Sequence, residues 1–258
     1  MKRPWRSLLA VSAVLGLLAL GAWHLDLPWD RLALMPLARS TGTVLASLWP
    51  GEVEAAFWWK LAWAAWETVA MSLASTAIAV VVAVLLLPWT SASIRSDGAC
   101  WRRRAASLIA NILRTTPFLV WALILVALLG PGATAGSLAL ALHTAGVLAR
   151  LYAQAVDDTP CPAAGALSAV GAVPATVLWW ALVPTAAPRL FALAAYRWEV
   201  ALREASVLGF VGAGGLGTVA MIAIGTFDRP GLGATLLVTI ALVAAAEAGS
   251  ALLRRWWR

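Results

Sequence analysis

Long apolar runs make up most of this chain, and most of its charge falls in the gaps between them. A helix that crosses a bilayer needs about 20 predominantly apolar residues. Six segments approach or exceed that length: Leu8–Trp23, Leu61–Leu87, Ala105–Leu129, Gly136–Val156, about Leu190–Val211, and Gly233–Leu253. The first follows Lys2, Arg3 and Arg6, an order shared with secretory leaders. No small-x-small cleavage site follows it, so a retained anchor is expected.

Residues 157–189 interrupt the pattern. Asp157, Asp158, Thr159, Pro160 and Pro162 form a helix-start signature of acids and proline. Gly165–Trp180 is then moderately apolar, and too short to cross before Pro184 and Pro188. This stretch reads as a cytoplasmic helical excursion. The expected architecture is an all-α membrane protein with about six transmembrane helices. Residues 1–60 form an anchor helix and external segment, and residues 61–258 the transmembrane domain.

Composition agrees. The chain is 62% hydrophobic and 12% charged, with a mean hydropathy of +0.85, whereas soluble domains are nearer half apolar and a quarter charged. The net charge of +7 is scattered over segment ends, which suits orientation rather than nucleic-acid binding. Arg95, Arg102, Arg103 and Arg104 lie between the second and third runs, and Arg254, Arg255 and Arg258 follow the last. The segment between the first two runs sets Asp26, Asp30, Glu52 and Glu54 against Arg31, Arg39 and Lys60. The positive-inside rule places both termini and the Arg102–Arg104 loop in the cytoplasm, and the Gly130-Pro131-Gly132 turn outside. Trp58, Trp59, Trp63 and Trp66 mark an interfacial belt. Two cysteines, Cys100 and Cys161, are too few for a disulfide framework.

Candidate chemistry concentrates in Ala194–Gly217, AAYRWEVALREASVLGFVGAGGLG. Charge inside a bilayer is costly and is usually retained for function. Gly212, Gly214, Gly215 and Gly217 permit positive φ or close backbone packing, which suits a moving gate. Gly212–Gly217 also spells GxGxxG, but that fingerprint needs a preceding strand and an acid about 20 residues on. Asp228 comes too early, and Leu236–Ile240 stands where the acid belongs.

Glu199 and Arg203 fall on one helical face in the favourable acid-first order. They are either a self-neutralising pair or, with Arg197, a contact for an anion in transit, since guanidinium matches phosphonate oxygens. His143 is a relay or a packing donor. Glu67 and Glu247 reach headgroups or arginine partners. Arg114 with Thr115, Thr116 and Pro117 marks a kink whose freed carbonyl a threonine can satisfy. No catalytic constellation, metal set or P-loop is present in the sequence.

These residues resemble the permease subunits of binding-protein-dependent ABC importers, most nearly the phosphonate permeases. The resemblance rests on Tyr196-Arg197-Trp198-Glu199, Arg203, Ser206 and the string Val207–Gly217. Leu113-Arg114-x-x-Pro117 with Val120–Leu123, and Gly136-x-Leu138–Ala141-x-His143-Thr144-x-Gly146, add to it. It extends over roughly Leu61–Arg258 and implies a type I importer fold. The excursion would then be the ATPase-coupling loop, with Gly171 and Pro184 at the family's spacing. Gly165, Ala166 and Leu167 replace Glu-Ala-Ala there, so the usual acid is missing.

The resemblance further implies a non-catalytic subunit with no cofactor of its own. ATP would be bound by a separate ATPase dimer, a solute-binding protein would deliver the solute, and a second permease copy or homologue would complete the path. Arg114, Pro117, His143, Arg197, Glu199, Arg203 and the glycines Gly212, Gly214, Gly215 and Gly217 would line or gate it. The solute would be phosphonate or a related oxyanion, with phosphite, methionine or another amino acid as alternatives. A membrane-embedded enzyme and a structural scaffold are the competing classes.

Overall fold

The structure is a computed structural model that describes residues 5–24, 34–51, 53–91 and 100–256. Lys2, Arg3, Asp26, Asp30, Arg31, Glu52, Arg95 and Arg258, on which part of the orientation argument rests, lie outside the described residues. Every regular element among those described is helical. The chain divides into two compact units, Met1–Ser47 and Leu48–Arg258. The first holds α1 (Trp5–His24) and α2 (Leu34–Ser47). The hydropathy pattern did not announce α2. Its Pro36 falls in the first turn, where an absent N–H breaks no helical bond.

The second unit begins with α3 (Ala55–Thr90), 36 residues long. Its faces are inverted relative to a soluble helix. Trp59, Trp63, Trp66, Val81 and Leu85 are exposed, while Thr68, Ser72, Ser75, Ala79 and Ala83 are buried. Within a bilayer, lipid is as apolar as leucine, so helices associate through small residues that allow close approach. The buried hydroxyls close on their own helix: Thr68 donates to the Ala64 carbonyl (2.9 Å) and Thr76 to Ser72 (2.8 Å).

The buried partner of α3 is α6 (Ala133–Asp157), the central helix, with Leu140, Leu148, Ala149 and Tyr152 almost wholly enclosed. Between them in sequence come α4 (Cys100–Thr115) and α5 (Phe118–Leu129). The expected single span Ala105–Leu129 is broken here by a 92° bend. Pro117 cannot donate, and the hydroxyls of Thr115 and Thr116 bond back to Asn111 (2.8 Å) and Ile112 (2.9 Å), closing the end of α4. Gly146 lets α6 meet α4 closely, since a Cβ there would lie 2.6 Å from the Arg114 nitrogen.

Next comes α7 (Pro162–Ala169), and then α8, a continuous helix over Pro174–Val211. It passes a π turn at Leu178–Leu182 and ends in a 3-10 turn at Gly209–Val211. Two expectations are corrected. The acids before Pro160 end α6 rather than start the excursion: Asp157 is its last residue and Asp158 its C-cap. The excursion closes at Val173, so Pro184 and Pro188 lie inside α8. Inside a helix a proline lacks the backbone donor and bends the chain, and the wider π turn at Leu178–Leu182 lies directly before Pro184. The glycine string then turns into α9 (Gly215–Gly225), an element that the apolar runs had not resolved. The chain ends in α10 (Arg229–Trp256).

By length and composition, three helices among the described residues can cross a membrane: α3, α8 and the Arg229–Leu252 part of α10. The bent α4–α5 pair makes a fourth if it is one span. This count falls below the six apolar runs. α6 is long enough, but Ser137, His143, Thr144 and Arg150 dilute its hydropathy. In α1 the apolar stretch is Val11–Gly21.

Hydrogen bonds tie together each end of α6. At its C-terminal end, Ser91 donates to Asp157 (2.6 Å), and Arg103 donates to the Ser91 carbonyl (3.2 Å). At the other, the Gly132 N–H donates to the Gly212 carbonyl (2.9 Å).

Candidate functional site

Charged side chains from the middle of α8 meet the centre of α6. Arg197 is 7% exposed; its Nη2 donates to Thr144 Oγ1 (3.2 Å) and stands 3.6 Å from Glu204 Oε2. Among the described residues, Arg197 Nε and Glu204 Oε2 have no hydrogen-bond partner. Buried polar atoms are almost always satisfied, so this ion pair is held loosely. Glu204 lies in electrostatic reach of Arg197, His143 and Arg203.

One turn away, Arg203 Nη2 donates to Glu199 Oε1 (2.7 Å), and Ser250 of α10 donates to Glu199 Oε2 (2.8 Å). The Glu199 side chain is 7% exposed and that of Arg203 47%. Trp198 donates to Ser72 of α3 (3.2 Å). The charged stretch therefore bonds to three different helices.

His143 approaches the Thr116 carbonyl through Nδ1 at 3.1 Å. A carbonyl can only accept, so Nδ1 carries the proton. The Phe118 ring meets the imidazole edge-on, with centroids 6.2 Å apart. The packing role fits this geometry. His143 also places the α4–α5 break, with Pro117, beside the charged cluster. Arg114 turns back to Asn111 Oδ1 (3.4 Å) on its own helix and is exposed.

The glycine turn is built for backbone that other residues cannot supply. Gly212, Gly214 and Gly215 have φ of 82°, 87° and 70°, where an L side chain is strained. Gly209 and Gly217 press α8 against α9, because a Cβ on Gly209 would overlap the Thr218 nitrogen. The first N–H groups of α9 then find acceptors on α3. Gly215 donates to Glu67 Oε2 (2.9 Å) and Leu216 to Thr68 Oγ1 (3.0 Å). A carboxylate at a helix N-terminus satisfies orphan donors and complements the dipole. Glu67 is therefore a cap rather than a headgroup contact. Glu247 is exposed on α10.

The loop residues form a separate group at the other end of α6. Gly165 and Ala166 are exposed, and Leu167 packs on the core formed by α6 and α8. Gly171, at φ 81°, ends α7, with Ala172 donating to the Leu167 carbonyl (3.1 Å). Pro184 lies along α8, outside this turn. Val170 and Val173 stand 80% and 63% exposed beside it. A Cβ on Gly165 would meet nothing within 4 Å, so the missing acid leaves no gap in the fold. Cys161 is half-buried near the Thr185 hydroxyl, while the Cys100 side chain lies outside the described residues.

Thr68, Thr144, Glu204 and Ser250 complete the arrangement and were not singled out from sequence, while Glu67 was read there as a headgroup or arginine contact. Glu204 and Thr144 sat inside the quoted motifs. Thr68 and Ser250 carried no signal, because a hydroxyl in a membrane helix ordinarily bonds to its own turn.

Residues 99–258 match the binding-protein-dependent transport system inner membrane component family. The chain belongs to it. This permease is 34% identical over 257 residues to the phosphite transport system permease protein PtxC of Stutzerimonas stutzeri, covering 98% of this chain and 90% of that one. It is 33% identical over 192 residues to the phosphate-import permease protein PhnE of Mycolicibacterium smegmatis, covering 74% of this chain and 36% of that one. Its fold matches a chain of the MetNI methionine ABC transporter in an inward-facing conformation. The TM-score there is 0.67 at 26% identity, over 80% of this chain and all of that one. The permease is thus a multi-pass membrane subunit of an importer, with a type I permease fold. The strand that a dinucleotide reading of GxGxxG demands is replaced by α8.

Proposed function

We propose that this permease forms part of the path by which an ATP-driven importer moves phosphonate or a related small phosphorus oxyanion, phosphite foremost. The single observation that carries this reading is the near full-length similarity to a phosphite permease. Arg203, half exposed and paired through its Nη2 with buried Glu199, supplies a guanidinium suited to such an anion. ATP is bound and hydrolysed by a separate ATPase pair docked on α7. A solute-binding protein delivers to the end marked by Gly132 and Gly212, and a second copy or a homologue completes the path.

In this reading both termini are cytoplasmic. The bond from Arg103 to Ser91, and from Ser91 to Asp157, supports that orientation by putting the arginine-rich start of α4 at the same end as α7.

Uptake by proteoliposomes that hold the assembled transporter and its binding protein tests the solute. Phosphite or methylphosphonate uptake that depends on ATP is the expected result. Uptake of methionine with neither phosphorus compound transported overturns it in favour of the amino-acid alternative, to which the MetNI likeness points.

A further inference from the structure

We propose that the cleft between the end of α3 and the first half of α4 binds the headgroup of an anionic phospholipid. The cleft has a volume of 470 Å³ and is lined by Trp89, Arg103, Arg104, Ser107 and Leu108. That is the size of a small-molecule site. Its chemistry is graded from one end to the other. Two guanidinium groups and a hydroxyl match a phosphodiester, and the Trp89 indole suits the headgroup level of a bilayer. Leu108 forms the apolar end.

The apolar character continues outward from Leu108. Leu108, Ile109 and Ile112 are 60%, 51% and 57% exposed along α4. This stripe gives an acyl chain a surface to lie on directly beneath the arginines. A free phosphate would use the arginines and ignore the stripe; a lipid uses both, which commits the site to lipid. Arg103 is held in place by its bond to the Ser91 carbonyl, one of five N–H donors that a guanidinium offers. The nearby Asp157 carboxylate accepts the Ser91 hydroxyl. Basic pockets between helices at the membrane surface recognise anionic headgroups in this way. The site shares no residue with the charged cluster on α8.

The test is native mass spectrometry of the intact transporter titrated with phosphatidylglycerol or phosphatidylcholine. Phosphatidylglycerol retained in preference to phosphatidylcholine is the expected result. Arg104→Gln should weaken phosphatidylglycerol about fivefold, and Arg103→Gln/Arg104→Gln about 25-fold, from the usual contribution of one arginine at an anionic surface. Arg229→Gln, a basic residue at the start of α10, should change nothing. Arg103 also supports Ser91, so Arg104→Gln, checked by gel filtration, decides the matter if the double variant fails to fold. Equal retention by the wild type and Arg104→Gln overturns the proposal. So does displacement of the lipid by millimolar inorganic phosphate, which marks a free-anion site, and so does no retention by any form, which marks a protein-covered surface.

Discussion

Arg203 and Glu199 form a 2.7 Å ion pair whose two members live in different surroundings, the carboxylate enclosed and the guanidinium half exposed. Glu199 has a second donor in Ser250. The acid is therefore anchored by the bundle, and the arginine is the member presented outward.

Arg203→Met should abolish oxyanion uptake while the protein still inserts and folds. Its cost in stability should stay below the about 3–5 kcal/mol of a broken buried pair, because Ser250 still donates to the Glu199 carboxylate left behind. Glu199→Gln should retain more uptake, since its amide oxygen can still accept from Ser250. Transport and thermal unfolding, measured side by side, separate the two effects. Recovery of uptake in Glu199→Gln/Arg203→Met would show that the pair is structural only.

At the glycine turn, Gly214→Val and Gly215→Val each force a branched side chain into positive φ. A Cβ would also lie 2.8 Å from Glu67 Oε1 or 2.6 Å from Thr68 Oγ1. Both variants should reach the membrane and lose most uptake. Normal uptake by both would reduce the string to an inert connection.

Removing the cap on α9 is the gentler perturbation of the same region. Thr68→Val and Glu67→Ala each delete an acceptor from the first turn of α9 and should cost about 1 kcal/mol. Hydrogen exchange at Gly215 and Leu216 should quicken while α3 and α6 stay protected. Unchanged exchange at those two amides would mean that the cap contributes nothing.

Ala166 and Ser168 are exposed on α7. Cysteines placed there, after replacement of Cys100 and Cys161, should crosslink to the ATPase subunit with a yield that follows its nucleotide state. The same Ser168→Cys protein should react with impermeant thiol reagent only from the cytoplasmic side, and Pro131→Cys only from outside. Absence of crosslinks in every nucleotide state, with the complex intact, would show that the loop without its acid has lost its partner.

Much of the fold could be read from hydrophobicity, because in a membrane the outward face of α3 is as apolar as its sequence suggests. The exceptions have separate causes. α6 is central, buried by protein on several sides, and so carries Thr144, His143 and Gly146 where lipid-facing helices carry leucine. The extension of α8 back to Pro174 was hidden by Pro184 and Pro188, read as terminators although the helix contains both. In the site, positive φ at Gly212, Gly214 and Gly215 was foreseeable from residue type alone. That Glu67 and Thr68 would be the acceptors at the start of α9 was not, since they lie 148 positions away from their donors and only the fold brings them together.

The unbroken course of α8 has a mechanical consequence. Its 38 residues make a rod about 57 Å long at 1.5 Å per residue, with α7 at one tip and the glycine turn at the other. No slack loop lies between them to absorb a push. In the proposed coupling, displacement imposed at Val173 would reach Gly212 and carry with it the guanidinium of Arg203 and the loosely held pair of Arg197 and Glu204. The π turn at Leu178–Leu182 and the prolines Pro184 and Pro188 just after it form the compliant stretch of the rod, and that stretch lies nearer to α7 than to the glycine turn.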